Sequence, residues 1–124
     1  MTLRAATVML PLHLQNEVIH PDGQIRAGFG DDLKARADFV DAALKSLKAA
    51  STSDIPRVFV RMAFQVGGTD VPDNCELYRF VKQNEIMREG SWGAEFFDCL
   101  APDTPSDVTV SHNRVNAFYA TQLE

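Results

Sequence analysis

The order of apolar patterns along the chain predicts an α/β fold built on a parallel sheet, and three observations carry that reading. Residues 5–10 form a nearly continuous apolar run, the pattern of a strand covered on both faces. Residues 31–50 repeat Leu33, Ala37, Val40, Leu44 and Leu47 at three- and four-residue steps, the period of a helix with one apolar face. Residues 57–64 and 107–112 are rich in β-branched side chains and lie on either side of further helical patterns. Strands separated by helices join in parallel through right-handed crossovers, so a three-layer α/β/α arrangement of Rossmann-like topology is expected.

Each element has its own signal. Pro11 is expected to end the first strand, and residues 13–30 to form a loop whose turn is His20-Pro21-Asp22-Gly23. In the long helix Asp31 and Asp32 fall in the first turn and Lys45 and Lys48 near the last, as the helix dipole favours. A polar connector over 51–56 leads to the second strand, which Gly67-Gly68 breaks. After Pro72, Asp73 is placed to cap a short helix to Gln83, with Cys75, Leu77, Phe80 and Val81 as its apolar side. A further short helix is expected over 93–100, before Pro102 and Pro105, and another at Thr121 after the third strand.

Composition narrows the function. The 124 residues are 45% hydrophobic and 23% charged, which suits one globular domain, 1–124, rather than a disordered segment. Twelve Lys and Arg against seventeen Asp and Glu leave a net charge of −5, so no basic stripe is expected to meet nucleic acid or an anionic membrane. No apolar run is long enough to span a bilayer, and the two cysteines, Cys75 and Cys99, show no CxxC spacing. A cytoplasmic protein with a small-molecule ligand fits these figures.

In parallel α/β sheets ligands bind beyond the carboxyl ends of the strands. His13 follows the first strand and His112 ends the third, so both are candidates for one crevice, where two imidazoles can divide acid and base roles. The plainer reading, histidines bonded to neighbouring loops, stands beside it. His20 before Pro21 reads as a turn residue. No HxH or HExxH spacing joins these histidines to Glu17 or Asp22, so neither a metal nor another cofactor is expected. Gly28-Phe29-Gly30 precedes a helix, but Asp31 and Asp32 would repel a phosphate there. No serine sits in a GxSxG elbow, and Cys99 reads as a packing residue inside a helix. Trp92, Phe118 and Tyr119 fit either the core or the wall of a pocket for a planar ligand.

Three stretches together resemble the isochorismatase-like cysteine hydrolases, which include isochorismatases, nicotinamidases and N-carbamoyl amidases. Met9-Leu10-Pro11-Leu12-His13-Leu14-Gln15-Asn16-Glu17, with His20-Pro21-Asp22-Gly23, is similar to that family's first strand and D-x-Q-N-D segment. Gly90-Ser91-Trp92-Gly93-Ala94-Glu95, with Leu100-Ala101-Pro102, is similar to its G-x-x-G-x-E stretch. His112-Asn113-Arg114-Val115-Asn116-Ala117-Phe118 is similar to its K-x-R-x-S-A-F segment.

The resemblance implies a cysteine thiolate attacking an amide-like carbon, an aspartate that accepts its proton and a lysine that supports the charge. Residue by residue, the aspartate position falls on His13 and the lysine position on His112, the expected catalytic pair. Gln15, Trp92, Arg114 and Phe118 fall where substrate would be contacted. Neither Cys75 nor Cys99 matches the nucleophile, which belongs to a later segment, so the chain is expected to hold the first half to two-thirds of such a fold. Three functions follow as expectations: a hydrolase of a C–N or related bond with non-standard site residues, a non-catalytic binding or assembly module, or one half of a split enzyme. A homo-oligomer or a complementing chain is the expected assembly, because the first strand would otherwise leave an unpaired edge.

Overall fold

The computed structural model describes residues 7–123, the side chain of Ala27 apart. Its centre is β1, Val58–Met62, which pairs in parallel with β2, Val108–His112, in a register that sets Val58 against Val108 and Met62 against His112. On the other side of β1 runs the leading segment, through parallel bridges Met9 to Arg57 and Leu12 to Val60. Ala5 and Ala6 of the expected first strand lie outside the described residues. Pro11 does not end this pairing. Its carbonyl accepts from Val60 N–H, and His13 N–H then donates to the Val60 carbonyl at 2.8 Å. Proline lacks only the donor, so the ladder continues two residues past it.

The 13–30 stretch holds more structure than a loop. It contains α1, Asn16–Ile19, and a 3-10 turn, Arg26–Gly28. The long helix α2, Leu33–Thr52, begins as its sequence predicts, with the Asp32 side chain accepting from Ala35 N–H at 2.9 Å. Its core face is narrower than the apolar stripe: Leu47 is buried, whereas Leu33 is 65% exposed. Phe59 of β1 packs with Leu14, Ile19, Leu47 and Leu100, the core shared with α2. Met62 has the opposite parity on β1 and packs on the cluster of α3 and its flanks, so helical layers cover both faces.

Helix α3, Glu76–Gln83, starts two residues later than the sequence predicts, with Cys75 at the cap position, because the Asp73 carboxylate faces Arg79 instead of capping an amide. Tyr78 and Val81 form its buried side; Leu77 and Phe80, expected there, are exposed. The helix expected over 93–100 is replaced by two 3-10 turns, Trp92–Ala94 and Asp98–Leu100. Between them the backbone bonds outward, Asn16 N–H to the Glu95 carbonyl and Phe97 N–H to the Leu14 carbonyl, at 2.8 Å each. Those partners replace the i to i+4 bonds a helix would need. Cys99, expected to pack in that helix, is exposed. No helix forms at Thr121 among the described residues, since the Thr121 hydroxyl bonds the Ala117 carbonyl at 2.6 Å and holds a turn.

A buried ion pair ties the opposite end of the sheet. Arg57 donates to both Asp107 oxygens, at 2.9 and 2.5 Å, and to Asp103. The guanidinium hydrogen bond holds the Asp107 carboxyl at about 2.

Candidate functional site

Two ladders carry His13 and His112 to the same place. His13 is fixed to β1 by its backbone bond to Val60, and His112 is the register partner of Met62. Gln15 locks this corner: its side chain donates to the carbonyls of Met62 and Ala94, at 2.8 Å each, and accepts from Met62 N–H at 2.9 Å. The two imidazoles meet at the carboxyl end of the sheet, with Nε2 atoms 2.6 Å apart and ring centroids 4.9 Å apart.

The partners fix the tautomers. His112 Nδ1 lies 2.7 Å from the Arg114 carbonyl, which only accepts, so Nδ1 of His112 carries a proton. In the neutral ring its Nε2 is then an acceptor, and His13 must donate Nε2–H to it. The lone pair of His13 is left on Nδ1. Burial first, and the neighbouring His112 second, push the His13 pKa below 6.5, so the neutral ring is favoured.

His13 also has φ of 57°, the left-handed region that costs a residue with a Cβ about 1–2 kcal/mol. Strain of this kind persists where the surroundings over-determine a conformation. Here the Val60 bond on one side and the Gln15 clamp on the other hold the backbone.

The pair borders two spaces. His13 lines an apolar cavity of about 320 Å³ with Met62, Tyr78, Val81 and Met87. His112, 3% exposed, borders a polar cleft of about 270 Å³ with Asp70, Glu89 and Asn113. Trp92 is 46% exposed and stands edge-on to His20, while Phe118 and Tyr119 are 48% and 63% exposed, so none of the three is core. The Arg114 guanidinium bonds the Asp70 and Asn113 carbonyls. His20 is a turn residue, its Nδ1 accepting from Asp22 N–H at 3.0 Å. Among the described residues no three His, Cys, Asp or Glu side chains gather as a metal site. Sequence reasoning missed Tyr78; its signal is the three-residue step Cys75, Tyr78, Val81, which marks the inward side of α3.

The fold has counterparts in known proteins. The family model for the isochorismatase domain matches residues 7–124. The chain belongs to the isochorismatase family. Solved structures agree on the family fold. A cysteine hydrolase from Pseudomonas syringae pv. phaseolicola 1448A superposes with a TM-score of 0.79 at 25% identity, over 97% of this chain and 52% of its own. N-carbamoylsarcosine amidase from Thermoplasma acidophilum gives 0.68 at 21% identity, over 94% of this chain and 57% of its own. An isochorismatase family protein from Desulfovibrio vulgaris subsp. vulgaris str. Hildenborough gives 0.72 at 18%, over 93% and 56%. The chain thus spans about half the length of these relatives. A comparison with curated proteins finds no match. No helix among the described residues is long and apolar enough to cross a membrane.

Proposed function

We propose that this isochorismatase-family chain supplies the base of a hydrolase that cleaves a C–N bond, amide or ureide, in a small molecule. The observation that carries this reading is the 2.6 Å contact between His13 and His112 at the carboxyl end of the sheet. His13 Nδ1 takes a proton from water as its oxygen bonds to the carbonyl carbon. The C–N bond breaks, and the same proton passes from the imidazolium to the leaving nitrogen. His112 is a positioning residue: anchored by the Arg114 carbonyl, it accepts from Nε2–H of His13 and steadies the charged ring. Gln15, with its amide committed to backbone, positions both rings rather than touching substrate. Trp92 and Phe118, half exposed, line neither of the two spaces beside the histidine pair, and Arg114 holds the cleft beside His112.

Assay of the intact protein against amides, ureides and isochorismate, beside His13→Ala and His112→Ala, tests this. Loss of a base is expected to lower kcat/KM about 100-fold or more in His13→Ala. Full activity in both variants overturns the roles.

A second reading concerns assembly. Among the described residues the backbone N–H and C=O groups of Val8, Leu10 and Leu12 have no partner, and Val8 and Leu12 are 47% and 54% exposed. An apolar edge of this kind receives a further strand, from a complementing chain, a second copy or a further stretch of the same polypeptide. In that reading the chain works as a subunit, in the cytoplasm, where Cys75 and Cys99 stay reduced.

A further inference from the structure

Helix α2 carries an apolar seam that its own chain leaves open. Leu33, Ala37, Val40 and Leu44 follow one another at steps of four, three and four, the spacing of the contact positions in paired helices. At 3.6 residues per turn they fall within about 60° of one another, and Arg36 and Asp41 lie roughly 70° to either side of their centre. These six residues line a groove of about 440 Å³ together with Pro21 and Phe97. Leu33 is 65% exposed there, and Ala37 and Asp41 are exposed as well.

The two flanks of the seam carry opposite charges. On one, Arg36 is buried, its Nε donating to the Ile19 carbonyl at 2.7 Å and its Nη2 to the Gly30 carbonyl at 3.2 Å. Its Nη1 has no acceptor, and no carboxylate pairs with this guanidinium among the described residues. On the other flank Asp41 is open to solvent, and Lys45 meets its Oδ2 alone, at 3.0 Å. A buried guanidinium without a counter-charge calls for an anion, and an apolar stripe for a second apolar helix. The groove lies away from the open strand edge: Val8 and Met9 share a space with Ser46, Ala49, Ala50 and Ser53, on the opposite side of α2.

We propose that this groove is a dimer interface, filled by α2 of a second copy of the chain running parallel to the first. A twofold axis along the helices brings Leu33, Ala37, Val40 and Leu44 each against its own equivalent. The same operation sets the Arg36 flank of each copy against the Asp41 flank of the other, so two ion pairs close the seam. An antiparallel pair would put the Arg36 flanks together, like charge against like, which selects the parallel arrangement. The proposal is independent of the hydrolase reading and of the strand edge.

Sedimentation of the full chain carrying Leu12→Lys, which blocks the strand edge with a charge, isolates this interface. A concentration-dependent dimer is expected to persist. Leu33→Glu and Asp41→Arg, both at exposed positions and so compatible with folding, are each expected to weaken it at least about tenfold. The first puts a charge in the seam, and the second sets a cation against Arg36 of the partner subunit. Orientation is read by Ala37→Cys in the same background. Only the parallel seam brings position 37 against itself, so oxidation with diamide is expected to give a disulfide between the two substituted positions, identified by mass spectrometry of the peptides. A monomer at every concentration, a dimer unaffected by both Leu33→Glu and Asp41→Arg, or a dimer without that disulfide would overturn the proposal.

Discussion

His13 concentrates the chemistry and the strain of the molecule in one residue. Its pKa is lowered in the folded chain, so the fold binds fewer protons at this site than the unfolded chain does. Stability from this group is therefore present above 6.5 and is lost as pH falls from 6.5 through the depressed folded value. Urea unfolding from neutral to mildly acid pH is expected to show this decline, and His13→Asn, which tolerates positive φ and does not titrate, to flatten it. An unchanged slope in the variant would contradict the burial of a neutral ring. Tyr78 offers an opposite case. Its hydroxyl is buried without a partner, so Tyr78→Phe is expected to leave the melting temperature unchanged or raise it. Gly23 is constrained by contact: a Cβ there would collide with the backbone carbonyls of Glu17 and Asn16, and Gly23→Ala is expected to cost about 1–3 kcal/mol in urea unfolding. The histidines were legible in the sequence as strand-end residues. Their shared proton was not, because it depends on the Arg114 carbonyl, a backbone group that any residue at 114 supplies.

The strands and helices follow their sequence patterns where local signals and tertiary contacts agree. Helix α2 has both period and cap, and it forms with its boundaries shifted by about two residues. The 92–100 stretch has the composition of a helix, but its backbone groups find partners in the 14–16 segment, and no local pattern encodes that pairing. The two strands are held at their starts by Arg57 and Asp107, with side chains 4% and 3% exposed. Removing one partner of a buried pair leaves the other charge unmet, so Asp107→Ala is expected to destabilise by about 3 kcal/mol, the low end for such losses because Asp103 remains. The carboxyl of Asp107 is depressed from 3.8 to about 2, so its contribution is complete above 3.8 and fades as pH falls toward 2. A chemical-unfolding series over that range, with and without the substitution, separates this fade from that of His13 at milder pH.

Across the whole molecule the parallel sheet runs from the leading segment through β1 to β2, with no further strand beyond either edge among the described residues. Composition indicates a single domain, and the structure places the apolar Val8 and Leu12 on an edge with unpaired backbone. The apolar run at 5–10 signals a strand, and the family resemblance alone implied its open edge, whereas its position beside β1 required the ladder itself. Sedimentation at rising concentration is expected to show self-association of the chain, reduced by Leu12→Lys, because a charge on an edge strand opposes pairing. A stable monomer unaffected by the substitution would show that the edge needs no partner.

All of the proposed chemistry rests on a neutral His13 whose lone pair is on Nδ1 and whose Nε2–H is held by His112. Long-range ¹H–¹⁵N spectra of the two rings, followed through a pH titration, read that state directly. The expected result is His112 protonated at Nδ1, His13 protonated at Nε2, and His13 titrating below 6.5. A His13 that titrates at or above 6.5, or a His112 proton residing on Nε2, would contradict it.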